Sequence, residues 1–301
     1  AGGDVFTQSG SMGYLFLLCL LLPVYTITGY DASAHTSEET KRAALSVPQS
    51  MVSSVLWSSL AGWAMLCAIV LAIPDMAAGA KQGWAVFFET MNAIMPASVK
   101  MILFVAIFLA QWLCGLATVT SASRMLFAFS RDGGMPAGSA ALAKVSPQYR
   151  TPVNAIWAVA AFEIFYVLLA QFVSIGGTNL YTIVVNSTLV FLFLSFIIPI
   201  VLGMMAYGTP KWPNPGPWAM RAGLFKLMCV LSVVGMAVIF FIAVQPPNDK
   251  VLWIVIGFVV LTAFLWFAFE NKRFAGPPIG EEIKKRAAAI AAAERAVGEA
   301  G

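Results

Sequence analysis

Apolar runs the length of a membrane crossing recur along this chain and constrain its fold more than any other feature. Residues 51–73, 101–126, 152–172, 181–202, 224–244 and 251–269 form six such runs. A helix needs about 20 apolar residues to cross the hydrocarbon of a bilayer, so each run is long enough to span it. Proline- and glycine-rich turns punctuate them: "IPDMAAG", "SRDGGMPAG", "YGTPKWPNPGPW" and "VQPPNDK". Composition agrees, since 60% of the 301 residues are hydrophobic and only 11% are charged. A soluble domain of this size needs far more polar surface. The expectation is an all-α integral membrane protein, with one transmembrane domain of about seven helices over residues 1–273 and a cytoplasmic tail over 274–301.

The seventh span is unusual. Residues 14–27 are apolar but too few to cross, and they run into "PVYTITGYDASAHTSEET", residues 23–40, where polar groups replace hydrocarbon. Bare backbone polar groups are costly in lipid, so a helix broken at membrane depth survives only inside protein or beside a water-filled cavity. A half-helix ending near Ile27 leaves free carbonyls, and a second one starting near Tyr30–Ala32 offers free N–H groups. Such opposed ends bind ions or the charged ends of a small solute, the discontinuous-helix device of secondary transporters. Gly29 removes a side chain at the break and permits backbone angles closed to other residues.

Charge placement orients the spans. With the N-terminus outside, fifteen of the 18 lysines and arginines fall on inner segments, and only Lys81, Lys100 and Lys250 fall outside. The alternation holds through seven crossings. The outer stretch "WAVFFETMNAIM" is apolar but too short to span, and is expected as a helix at the outer surface or dipping into the entrance. Residues 281–299, rich in alanine and charge, are expected as a solvated helix. The four cysteines, Cys19, Cys67, Cys114 and Cys229, stand alone in apolar runs and are expected as small core residues.

"TGYDASAHTSEETKRAALSVPQSM" resembles the sixth-helix signature of the amino acid–polyamine–organocation transporter superfamily, with its "G-[FY]-[DE]" break and "SEE" helix end. The "AHTSEE" version is most similar to the amino acid/choline transporter branch, which includes 4-aminobutyrate permeases. "SASRMLFAFSRDGGMP" resembles that family's helix eight and the loop after it, and "NLYTIVVNSTLVFLFLSFIIPI" its helix ten. The resemblance implies a leucine-transporter-like inverted-repeat fold, present here as the second repeat (helices six to ten) plus helices eleven and twelve. Helices one to five, which carry the other broken helix, are then the missing partner.

The resemblance also implies roles. Tyr25 falls where relatives place an aromatic that closes over substrate, and Thr26, Ile27, Thr28, Gly29 and Tyr30 lie along the substrate-binding break. Asp31 takes the acidic position used for proton coupling. Two plainer readings stand beside these: Tyr25 as a packed aromatic, and Asp31 as a cap on the second half-helix. Thr118, Ser121 and Asn186 are candidate cavity or ion-site residues, with hydroxyls bonded back to their own helix as the alternative. Glu163, in the middle of a span, is expected to face protein rather than lipid.

The implied activity is secondary active transport of an amino acid or small amine, with no cofactor and no nucleic-acid partner. Two alternatives remain. One is a membrane segment that does not itself transport. The other is a membrane-embedded metalloenzyme built on Asp31, His35 and Glu38 or Glu39, which successive helical turns present to one side.

Overall fold

A computed structural model describes residues 11–175, 178–210, 212, 216–245, 249–274 and the tail positions 285, 288, 289 and 292. Apart from those four positions, the expected tail helix over 281–299 lies outside the described residues. In chain order the helices are α1 (Met12–Cys19), α2 (Leu21–Ile27), α3 (Ala32–His35), α4 (Ala43–Ala72), α5 (Met76–Gln82), α6 (Val86–Ile94), α7 (Ala97–Arg131), α8 (Ser139–Leu142) and α9 (Val153–Phe172). Then come α10 (Leu180–Ala206), α11 (Ala222–Ala243), α12 (Asp249–Leu265) and α13 (Asn271–Arg273). A π-helical turn, Trp266–Glu270, joins α12 to α13 without a break.

Among the described residues, seven segments are long and apolar enough to cross a membrane: Met12–His35, Ala43–Ala72, Ala97–Arg131, Val153–Phe172, Ile183–Ala206, Ala222–Ala243 and Lys250–Arg273. The protein is a multi-pass, α-helical membrane protein. Its surface fits that solvent: Leu71 on α4 and Phe172 at the end of α9 are 86% and 87% exposed, which is tolerable when lipid covers them. The only strands among the described residues, Ser174–Ile175 and Thr178–Asn179, pair antiparallel with Ser174 opposite Asn179, just before α10.

Helix ends depart from the apolar runs in instructive ways. α4 starts eight residues before the run at 51, at Ala43, and carries Pro48 in its second turn. At the sixth helical position Pro48 removes the N–H that would bond to the Ala44 carbonyl, so the first turn of α4 is joined to the rest by one bond fewer. The turn expected at "IPDMAAG" instead opens α5, because Asp75 caps it: its Oδ1 accepts the N–H groups of Ala77 at 2.8 Å and Ala78 at 3.1 Å. The stretch expected to lie at the surface forms α6, which packs against α4 and buries Thr90 and Met91.

The described chain divides into two compact units. One comprises the chain up to Ser121 together with Glu163–Val259, and the other Ala122–Phe162 together with the chain from Val260. The core of the first lies where Val190 of α10 meets Ala243 and Val244 at the end of α11 and Val251 and Val255 of α12, with Leu21 of α2 packed on it. In the second unit, Arg273 reaches the loop after α7. It donates to the carbonyls of Gly133 (2.9 Å), Gly134 (2.7 Å) and Met135 (3.2 Å), while its Nε donates to Glu270 at 3.0 Å.

Candidate functional site

The broken span sits in the first unit. α2 ends at Ile27 because Thr28 turns extended, with φ −71° and ψ 158°. The Thr28 hydroxyl then donates to the Tyr25 carbonyl at 2.8 Å, satisfying one acceptor that the interrupted helix would otherwise leave open. Gly29 follows at φ +88°. A Cβ built there would meet nothing within 4 Å. The angle, and not a lack of room, therefore selects glycine at the break. The helix restarts as Ala32 N–H donates to the Gly29 carbonyl at 3.1 Å and the N–H groups of Ala34 and His35 converge on the Asp31 carbonyl, at 2.8 and 3.2 Å.

α4 packs along both α2 and α3, so one continuous helix braces both sides of the interruption. The approach is closest at Gly62, which is buried, and where a Cβ would stand 2.7 Å from Cγ2 of Thr26. Gly62 extends a four-residue series on α4: Ser46, Ser50, Ser54 and Ser58 precede it. Ser50, Ser54, Ser58, Gln49 and Trp57 line an open groove of about 540 Å³, together with Ser33 of α3. This polar flank is not among the features expected from the sequence. The spacing of four, one residue per helical turn, was the signal for it.

α10 lies against the break from another side. The Tyr25 hydroxyl donates to the Val185 carbonyl, and the Tyr30 ring lies 6.0 Å from that of Phe196. Both contacts ascend in the same order, so the broken span and α10 run parallel. Tyr25 is a partly buried ring whose polar tip is satisfied by a neighbouring backbone carbonyl.

Asp31 precedes α3, yet its carboxylate makes no capping bond. Its Oδ2 lies 3.3 Å from His35 Nε2, with both side chains partly buried. The third member of the metalloenzyme alternative does not join them: among the described residues no group of three His, Cys, Asp or Glu side chains could hold a metal ion.

The other candidates lie apart from this stretch in sequence. Thr118 donates to the Cys114 carbonyl and Ser121 to that of Ala117, both at 3.0 Å within α7. On α10, Ser187 and Thr188 bond back to Ile183 (2.7 Å) and Val184 (2.8 Å). The side chain of Asn186 lies outside the described residues. Glu163 of α9 is partly buried.

Comparison with known proteins then becomes decisive. The family model described as amino acid permease matches residues 1–265, most of the chain. The chain belongs to the amino acid permease family. This permease chain is 31% identical over 284 residues to the amino-acid permease BAT1 of Arabidopsis thaliana, covering 89% of itself and 53% of that protein. It is 32% identical over 248 residues to the BAT1 homolog of Oryza sativa subsp. japonica, covering 79% of itself and 46% of the relative. It is also 32% identical over 165 residues to the GABA-specific permease of Saccharomyces cerevisiae, over 52% of itself and 28% of that protein. No solved structure matches the chain. The permease chain spans about half the length of the first of these relatives.

Proposed function

We propose that this chain is the second half of a secondary active transporter for amino acids or related small amines, such as 4-aminobutyrate, choline or polyamines. It works by alternating access with proton coupling. The observation that carries the reading is the interrupted span: a member of the amino acid permease family whose helix is broken from Thr28 to Asp31 and braced by α4 and α10. In such a site the ends of two half-helices face the solute. Carbonyls from Thr26 to Gly29, where α2 gives way to the break, receive an ammonium group, and the N–H end of α3 favours a carboxylate.

Tyr25 and Tyr30 form the aromatic walls on either side of the break, and Asp31 carries the coupling proton. The helix-eight hydroxyls at Thr118 and Ser121, with Asn186, line the ion or solute path as a secondary candidate set. The bundle is completed by helices one to five, which this chain does not span. The N-terminus of the chain lies outside and the C-terminus in the cytoplasm, at the plasma or inner membrane. The parallel run of the first and fifth spans supports this alternation, as does the lysine and arginine distribution.

The test is uptake of radiolabelled amino acids and 4-aminobutyrate into proteoliposomes. It is run with the chain alone, and with the chain joined to the half that its relatives carry and it does not span. Saturable uptake driven by an inward proton gradient is expected only for the joined form, and without a sodium requirement. An absolute sodium requirement with a flat pH profile would move coupling to Thr118 and Ser121. No saturable uptake by the joined form under either gradient would overturn the reading.

A further inference from the structure

We propose that His35 is the partner of Asp31 in a single proton-carrying couple at the break, resting on the transporter reading above. Nε2 of His35 stands 3.3 Å from Oδ2 of Asp31, one helical turn away, and both side chains are partly buried. His35 is the only histidine of the chain, and an imidazole ring can both accept and donate a proton at its nitrogens. The four-residue helix that links the two begins directly after the interruption. A change in the pair's charge is therefore felt where the backbone is unwound.

The titratable and charged groups around the pair are few. Tyr30, the next residue along the turn, interacts electrostatically with Asp31. Glu38 and Glu39 sit on the 3₁₀ turn after α3, and Lys41 and Arg42 precede α4. α4 itself, packed along α3, contains no Asp, Glu, Lys, Arg or His. α10 carries Tyr181 as its one titratable side chain, and α11, which packs on α1 and α2, carries Lys226 and Cys229.

With one proton held between Asp31 Oδ2 and His35 Nε2, the couple is neutral overall. When that proton leaves for water, the couple carries one negative charge at the break. One proton is bound and one released per cycle, and no bond other than the O–H or N–H that holds it changes. Coupled groups of this kind titrate as a pair.

Two measurements test this, one of which needs no transport. Because the chain holds one histidine, ring-labelled histidine gives one imidazole resonance from the full chain in nanodiscs. Its titration curve is expected to shift between wild type and Asp31→Asn; superimposable curves would overturn the couple. In the joined transporter, the pH dependence of 4-aminobutyrate or amino acid uptake is expected to flatten in both His35→Gln and His35→Lys. The double variant Asp31→Asn/His35→Gln should lose no more than Asp31→Asn alone. A wild-type pH profile in either His35 variant would overturn the proposal. So would loss of uptake at every pH in both, with normal membrane insertion, which would make His35 a packing residue. Absence of uptake by the unmutated transporter would count against the transporter reading and leave the resonance arm to decide the couple.

Discussion

Two helix ends in this molecule solve the same problem in opposite ways. α2 and α7 are each followed, two residues past their last helical residue, by a glycine with positive φ, Gly29 at +88° and Gly133 at +83°, and each end leaves carbonyls to be satisfied. After α7 the last-turn carbonyls of Ala128, Phe129 and Ser130 accept local N–H groups, and the loop carbonyls beyond them, of Gly133, Gly134 and Met135, are gathered by one guanidinium, that of Arg273, about 140 residues away in sequence. A cation there also complements the negative end of the helix. After α2 the repair is local and slight: a threonine hydroxyl three residues on, followed by a new helix of four residues. The first kind of ending is closed by protein. The second, in the proposed site, keeps its backbone available to a ligand, and the neighbouring helices hold it without filling it.

The largest expected effect comes from forcing the local ending apart. Gly62→Leu places a side chain where even a Cβ meets Thr26 at 2.7 Å. Overpacking of this kind costs about 1–3 kcal/mol. Lower thermal stability of the purified chain is expected, together with loss of uptake in the joined transporter. Unchanged melting in Gly62→Leu would mean that α4 does not brace the break.

Gly29→Ala tests the angle by itself, since the position has room but the wrong conformation for an L side chain. The expected cost is roughly 1–2 kcal/mol, read as about a tenfold loss of uptake with insertion intact. Gly29→Leu should abolish uptake. Wild-type uptake in well-expressed Gly29→Leu would sink the broken-helix account.

Arg273→Lys sharpens the other side of the comparison. An ammonium cannot span three carbonyls and a carboxylate in the fork geometry of a guanidinium. Because the site is partly solvated, water replaces much of what is lost, and the expected cost is about 1 kcal/mol. The readout is faster proteolysis or labelling of the loop at 132–138, with uptake little changed. A larger loss of uptake than from Gly29→Ala would show that the closed ending also belongs to the transport cycle.

Tyr25→Phe is expected to have the smallest effect on stability, about 0.5 kcal/mol, the low end for a neutral hydrogen bond, here to the Val185 carbonyl. Apparent affinity for substrate separates the readings. Affinity is nearly unchanged if the ring alone closes the site, and weakened if the tie to α10 positions it.

What was legible in the sequence follows from how locally it is determined. The spans could be located from residues such as those of 101–126 and 224–244, because apolar length is a property of consecutive residues. The break was legible because "TGYD" puts glycine and an acid where hydrocarbon is required. The start of α4 could not be placed within a turn, since Ala43–Ser50 is polar enough to read as a loop yet is helical beside α3. The cap at Asp75 was hidden for a similar reason: "IPD" reads as a turn whether or not a helix follows.

The order of spans, the place of the interruption and the use of glycine at 29 were set by the sequence itself, through hydrocarbon length and the need to satisfy backbone in lipid, both counted along the chain. The tertiary structure alone decided that Gly62 meets Thr26, that Tyr25 bonds Val185 and that Arg273 closes the α7 end. It also decided that Asp31 turns to His35 instead of capping its helix. Those outcomes depend on which surfaces pack together and on distances of a few ångströms, or on a choice between rival hydrogen bonds; the i,i+4 spacing of Asp31 and His35 permits their contact without choosing it over the cap.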